Sequence, residues 1–295
     1  MMEYILTFLQ KTSADLKELE AFIDDAEKLL QQWGSSVEEA VALYQQTHTI
    51  SDSLAIREAI AMESGISVYT VNAVVIILSA QWLWEDYKTS GYTEPLFWDT
   101  MADAIYKLYE CKTVKGVWGT FVEYWFDYIF KKTVFRLGRF EYEIAKFPHD
   151  APVTIHGHTI HPGDTVYNVH IPSCGPMPRD VRLDSYRKAY NFFAKDKETI
   201  IFACHSWLTY AKNREIFPPH LNMVDFLNDW TILKNQQTPE FTACWRLFGK
   251  PYSGNPHNLP TDTTAQRAMA DWLKAGNLPG VGYGIMLFDG EKILQ

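Results

Sequence analysis

Cysteine is scarce in this chain of 295 residues. The four present, Cys111, Cys174, Cys204 and Cys244, lie far apart with no CxxC pair. That spacing argues against a disulfide framework or a cysteine zinc site and fits a reducing cytoplasm, the expected location. Positive charge is also short, with 27 Lys+Arg against 36 Asp+Glu and a net charge of −9. An acidic chain without a basic stripe is a poor match for nucleic acid, and no such partner is expected. Long apolar runs are missing. The greasiest stretch, VNAVVIILSAQWLW, falls short of the roughly 20 residues a membrane span needs and is broken by Asn72, Ser79 and Gln81. It reads as a buried helix, so no membrane partner is expected. The start, MMEYILTFLQ, has no basic region before an apolar core, and no signal peptide is read there.

What the chain does have is apolar mass: 47% hydrophobic against 21% charged residues, enough for a substantial core. Charge divides unevenly. Residues 1–132 carry 10 basic and 20 acidic side chains, and residues 133–295 carry 17 and 16, which together give the net −9. An anionic ligand is therefore better hosted by the second half.

The first half reads as about six helices. Leu16, Leu19, Phe22, Ile23, Ala26, Leu29, Leu30 and Trp33 keep a helical rhythm that Gly34 should end, and Ser36 with Glu39 offers a capping box for the next helix. Another helix is expected from Ser67 to about Ser90, and Thr93 with Pro95 should open one more. TFVEYWFDYIF reads as a further, buried helix.

The pattern changes after residue 132. In VFRLGRFEYEIAKF the alternation slips phase at Gly138, which predicts a strand bulged at that point. PVTIHGHTI predicts a hairpin turning at His156-Gly157. TVYNVHIP, TIIFACHSWL and FTACWRLFG read as strands, with helices at Leu183 to Phe193, NMVDFLNDW and TTAQRAMADWLKAGN, and GYGIMLFDGEKIL closes as a strand or hairpin. The expected fold class is α+β, with a helical domain over 1–132 and a mixed α/β sheet domain over 133–295.

Several groups invite a chemical reading. His170 and His205 sit near the carboxyl ends of two apolar strands that the topology can set side by side. A histidine there suits general-base work, while the plainer alternative is a core histidine bonded to backbone. Ser173, Cys174 and Gly175 end a strand before a helix and can present amide N–H groups to an anion, or can simply break the strand together with Pro176 and Pro178. Thr264, Gln266 and Arg267 offer a second anion site at a helix start, or an ordinary cap. Arg139, Glu141 and Glu143 share a strand face in the bulged reading. There the carboxylates line an acceptor cleft, or the face is solvated and internally paired. Histidines 156, 158 and 161 lie close together but lack a further ligand at a recognisable spacing, so no metal is expected. GVGYG leads into a strand rather than from one into a helix, so it is not a dinucleotide fingerprint.

Four ordered stretches, FRLGRFEYE (135–143), VYNVHIPSCGP (166–176), FACHSWL (202–208) and TTAQRAMADWL (263–273), resemble a bacterial family of acyltransferases with a helical N-terminal domain and a GNAT-like C-terminal domain. The likeness continues upstream through the segment from Phe97 to Phe130 and fades before about residue 60. It implies acyl transfer from acyl-CoA or acetyl-CoA to a small amine by direct attack. Within that scheme, His170, His205 and Glu141 are candidates for proton transfer. Ser173, Cys174, Gly175, Thr264, Gln266 and Arg267 are candidates for holding the cofactor, and Arg139 and Glu143 for the substrate. A binding module on the same fold, taking an acyl-CoA or another small ligand without turnover, is the alternative. One departure favours it: GNAT enzymes usually carry an Arg/Gln-x-x-Gly-x-Gly/Ala loop, and IPSCGPMPRD lacks that spacing. The sequence leaves the oligomeric state open.

Overall fold

A computed structural model describes residues 1–195 and 197–294. Its contacts divide the chain into two units, Met1–Arg136 and Leu137–Gln295.

In the first unit, α1 (Met2–Lys11) precedes α2 (Glu20–Thr47), which runs straight through Gly34. The chain kinks at Trp33 (φ −124°, ψ 17°) but does not stop, so the capping box expected at Ser36 and Glu39 falls inside a continuing helix. Buried Phe22, Ala26 and Leu29 before the kink and Val37, Ala40 and Tyr44 after it keep one apolar stripe, and packing of that stripe overrides the local glycine. Next come α3 (Leu54–Ser64), α4 (Val68–Thr89), α5 (Glu94–Met101), α6 (Asp103–Lys115) and the short α7 (Phe126–Phe130). The hydroxyls of Ser67 and Thr93 cap α4 and α5, accepting the N–H groups of Tyr69 and Leu96.

Helix α4 matches the one expected from Ser67 to about Ser90, and at 22 residues it has the length and composition to cross a membrane. Within this unit, however, Thr70 to Ala80 is buried without interruption. Thr70, Asn72 and Ser79 in that stretch are hydrogen-bonded. The carbonyl oxygen of Asn72 accepts from Arg57, and its amide donates to the Thr120 carbonyl at 3.3 Å. Arg57 also donates to Ser53 Oγ (3.1 Å) and the Ile50 carbonyl (2.8 Å), so a fully buried guanidinium spends its donors inside the helical core.

The second unit holds the sheet. The chain enters it through β1 (Val134–Leu137), most of which belongs to the first unit; β1 and β2 (Phe140–Lys146) are separate strands joined through Gly138 and Arg139, with Gly138 at φ +78°. The phase slip marks a tight turn rather than a bulge, because glycine alone adopts that φ without strain. The small hairpin β3 (Val153–Ile155) and β4 (His158–Ile160) turns at His156 (φ 48°) and Gly157 (φ 80°), as expected. After it come β5 (Thr165–His170), α8 (Arg179–Phe193), β6 (Ile200–Ser206), α9 (Asn213–Ile216), α10 (Asn222–Leu227), β7 (Thr231–Gln237), α11 (Cys244–Phe248), α12 (Thr264–Lys274), β8 (Gly280–Phe288) and β9 (Ile293–Leu294).

Other assignments made from sequence change: TFVEYWFDYIF is α-helical only over Phe126–Phe130, with Tyr124 and Tyr128 exposed, and two strand readings shift. FTACWRLFG is not a strand but contains α11, since buried Phe241, Cys244 and Phe248 recur at helical spacing. The strand that fills the sheet edge is β7, whose Lys234 to Gln237 are exposed and show no apolar alternation.

Strands run β2-β5-β6-β8-β7, with β9 on β8. Only the β5–β6 pair is parallel among these; β2–β5, β6–β8 and β7–β8 are antiparallel. One face carries Phe140, Tyr142, Tyr167, Phe202 and Phe288, and α8 lies on it. Tyr186 packs on Phe140 (centroids 5.6 Å) and Phe202 (5.5 Å), and Phe193 stacks on Tyr167 at 4.1 Å. The opposite face holds Val166, Ala203, Ile285 and Leu287, covered by Phe147 and by Ile155 and Ile160 of the small hairpin. The GVGYG glycines serve packing: a Cβ on Gly282 would lie 1.9 Å from the Thr209 carbonyl oxygen.

Candidate functional site

The parallel seam is short. Ladder pairs join Tyr167 to Phe202 and Asn168 to Ala203; beyond them, among the described residues, none links β5 to β6. Both strands continue, and each stays held by its outer neighbour: Glu141 pairs with His170, and His205 and Ser206 pair with Tyr283 and Gly282. The β5–β6 ladder therefore ends before the carboxyl ends of both strands, while the ladders on their outer sides run on. A ladder end of this kind leaves backbone groups directed into a wedge, where an extended polar ligand can satisfy them.

Strand alternation places the side chains around this wedge. On the face away from α8, Val166, Asn168 and His170 follow one another on β5, as do Ala203 and His205 on β6 and Glu141 and Glu143 on β2. His170 and His205 each lie two residues past the last ladder pair, on the same face of adjacent strands.

Within this group, His170 Nε2 lies 2.8 Å from Glu143 Oε2, and Asn168 Nδ2 donates to the same oxygen at 3.1 Å. The hydrogen bond to His170 is the main cause that holds the Glu143 carboxyl below its ordinary range, against the opposing effect of burial. An ionised carboxylate only accepts, so Nε2 carries the hydrogen, and in the neutral imidazole the lone pair falls on Nδ1. A histidine fixed this way by a carboxylate can take a proton, because the carboxylate then faces an imidazolium. Glu141, 2% exposed, lies directly across the ladder from His170. His205 is exposed and faces Tyr283 across the neighbouring ladder, with ring centroids 6.3 Å apart. Burial pushes the Tyr283 hydroxyl up to about 12, so it stays protonated at neutral pH.

Arg139 is not on this strand face. It occupies the turn before β2, and its guanidinium donates to the carbonyls of Pro172 (2.9 Å), Gly175 (2.7 Å) and Pro176 (3.2 Å). It thus grips the loop that contains Ser173, Cys174 and Gly175, between β5 and α8. In that loop, Gly175 has φ +103°, the Cys174 N–H donates to the Pro172 carbonyl, and the Cys174 thiol reaches the Arg139 carbonyl at 3.7 Å.

The α12 group is occupied with its own helix start. The Thr263 hydroxyl accepts the Gln266 N–H, and Gln266 Oε1 accepts the N–H groups of Asp262 and Thr263. Arg267 donates to the carbonyls of Thr261 and Asp262 and to the Thr264 hydroxyl. Histidines 156, 158 and 161 are exposed at the small hairpin, with His156 in its turn.

Sequence reasoning missed Asn168, although its spacing of two from His170 placed both on one face. It also missed Arg182 and Asp229, whose pairing brings together α8 and the segment between α10 and β7.

A sheet whose central parallel ladder ends early beside a loop leading into a helix defines a GNAT-like fold. The family model for the GNAT-like C-terminal domain matches residues 134–286, more than half of the chain, and the chain belongs to this family. Among solved structures it is similar to an acyltransferase in complex with decanoyl-CoA and teicoplanin. That match has a TM-score of 0.65 and 15% identity, and covers 99% of each chain. It is similar also to an acyltransferase in complex with decanoyl-CoA, with a TM-score of 0.64 and 17% identity over 95% of this chain and 98% of that one. A search of curated proteins gives no match.

Proposed function

We propose that the protein is a cytoplasmic N-acyltransferase that moves an acyl group from an acyl-CoA to a small amine. The observation that carries this reading is the short β5–β6 seam with the His170–Glu143 pair at its edge. Pantetheine is an extended chain of amides, and the strand ends beyond the seam offer the backbone donors and acceptors such a chain needs. Its diphosphate would lie at the Ser173–Gly175 loop and the start of α8, where a helix N-terminus favours negative charge.

In the reaction, the amine nitrogen attacks the thioester carbonyl carbon. Backbone N–H groups at the seam stabilise the charge that develops on oxygen. His170, through Nδ1, takes the proton from the attacking nitrogen, and Glu143 steadies the imidazolium. The carbon–sulfur bond breaks and CoA leaves as the thiolate, which returns to the thiol by taking a proton. His205 borders the same opening and contacts the acceptor amine, while Glu141, buried on β2 across from His170, adds negative charge beside the pair. The proposal gives α12 a smaller part, because Arg267 and Gln266 already cap their own helix.

A binding module without turnover is the second reading, favoured by the absence of the usual glycine-rich spacing in IPSCGPMPRD. A melting series with acyl-CoAs of increasing chain length tests both. At about 100 times its Kd a ligand should stabilise the fold by roughly 2.7 kcal/mol. If no acyl-CoA shifts the melt, the transferase and an acyl-CoA-binding module both fall, and only a module for another small ligand is left. A shift without transfer to any amine leaves the second.

A further inference from the structure

The usual glycine-rich loop shapes itself by composition; here a residue from outside the loop holds it. We propose that Arg139 is a positioning residue that sets the β5–α8 loop in its diphosphate-binding shape. This rests on the acyl-CoA reading above.

Peptide geometry sets which way the amides of this loop point. A trans peptide directs its C=O and the following N–H to opposite sides. The Arg139 guanidinium collects the carbonyls of Pro172, Gly175 and Pro176, and Arg182 takes the Met177 carbonyl at 2.9 Å. Four of the loop's carbonyls are therefore drawn toward two buried cations. The Ser173 N–H follows the Pro172 carbonyl and the Met177 N–H follows that of Pro176, so both amides are aimed away from Arg139. Pro176 and Pro178 follow the other two gripped carbonyls and have no N–H to misdirect. Withdrawing the carbonyls also removes the partial negative charge that would repel an anion.

Arg139 is itself well placed for this. It is 9% exposed, its guanidinium lies 5.6 Å from the Phe140 ring centroid, and the Gly138 turn brings it to the loop. The planar fork is essential to the idea: three carbonyls in different directions need several rigidly disposed donors, which lysine lacks.

The test compares decanoyl-CoA with decanoyl-pantetheine, which keeps the thioester and lacks the diphosphate. Binding is measured by calorimetry for the wild type, Arg139→Lys and Arg139→Gln. The wild type should prefer decanoyl-CoA clearly. Both variants should bind decanoyl-CoA roughly 10–100-fold more weakly, the scale of lost charge-assisted hydrogen bonds, while holding decanoyl-pantetheine as the wild type does. Equal loss for both ligands would mean a general structural role and overturn the inference. Wild-type affinity in Arg139→Lys would reduce the effect to charge and overturn the grip. Unchanged decanoyl-CoA binding in both variants would do the same while leaving the acyl-CoA reading intact. A wild type that does not distinguish the two ligands would remove the loop's diphosphate role itself. If Arg139→Gln does not fold, Arg139→Lys, which keeps the buried cation, still carries the comparison.

Discussion

His170→Ala is expected to lower the rate of acyl transfer about 10²–10⁴-fold, the range for loss of a general base, while acyl-CoA affinity stays near that of the wild type. The reason is the tautomer that Glu143 imposes: with Nε2–H on the carboxylate, Nδ1 is the basic atom, and of the two histidines on this face only His170 is oriented by a carboxylate. A histidine of purely structural value would behave differently. Its loss would leave a partner unsatisfied and cost about 1–3 kcal/mol of stability, with normal turnover in the folded fraction. Rate and melting temperature must therefore be measured on the same variant. An early melt with a wild-type rate would end the catalytic assignment. The pair also has a pH signature. The Glu143 carboxyl is held below its unfolded value, so its contribution to stability is fully present above the ordinary carboxylate range and is lost as pH falls through the lower, folded value. Glu143→Gln should remove that acid-side loss, and a stability profile unchanged below the ordinary carboxylate range would contradict the pairing.

Asp229→Ala is expected to destabilise the second unit by up to about 3–5 kcal/mol, the cost of breaking a buried pair, because it takes from Arg182 its buried partner and leaves only the more exposed Asp225. Arg182 is fully buried and donates to Asp229 Oδ2 at 2.8 Å and to Asp225 Oδ2 at 2.8 Å. Asp229 also accepts from the Tyr186 hydroxyl (3.2 Å) and from Arg179 (3.2 Å). The cluster ties α8 to α10 and to the residues leading into β7. Replacing both partners by apolar residues, Asp229→Leu with Arg182→Met, should recover most of the loss, because an apolar pair carries no desolvation cost. Denaturant midpoints for the single and double variants measure this. A single variant as stable as the wild type would show that the cluster contributes nothing net.

The parts legible in the sequence were those where burial imposes a period. The alternations of β5, β6 and β8 and the apolar face of α8 follow directly from the layers they separate. Edge strand β7 was hidden because its exposed end places no apolar demand on alternate positions. Helix α11 was mistaken for a strand because five helical residues are too few to establish a period. Gly34 looked like a stop, yet the stripe on either side of Trp33 keeps α2 going.

The site divided along similar lines. His170 and His205 could be placed on neighbouring strand ends from their motifs alone. Arg139 could not, since its position depended on whether Gly138 made a bulge or a turn, and a turn moves the side chain from the strand face to the loop. The cap at α12 had two possible readings, and only the positions of Gln266 Oε1 and the Arg267 guanidinium separate them. Long-range pairings such as Arg182 with Asp229 leave no local trace, because 47 residues separate the partners.

The most direct measurement is a single-turnover reaction of the intact protein with decanoyl-CoA and a panel of small amines, following CoA thiol release and the mass of the acceptor together. Direct attack predicts that thiol and N-decanoyl amine appear in equal amounts, only when an amine is present, and that His170→Ala slows both alike. Decanoyl-CoA bound but unchanged with every amine, or thiol released with no acylated amine, would contradict the account.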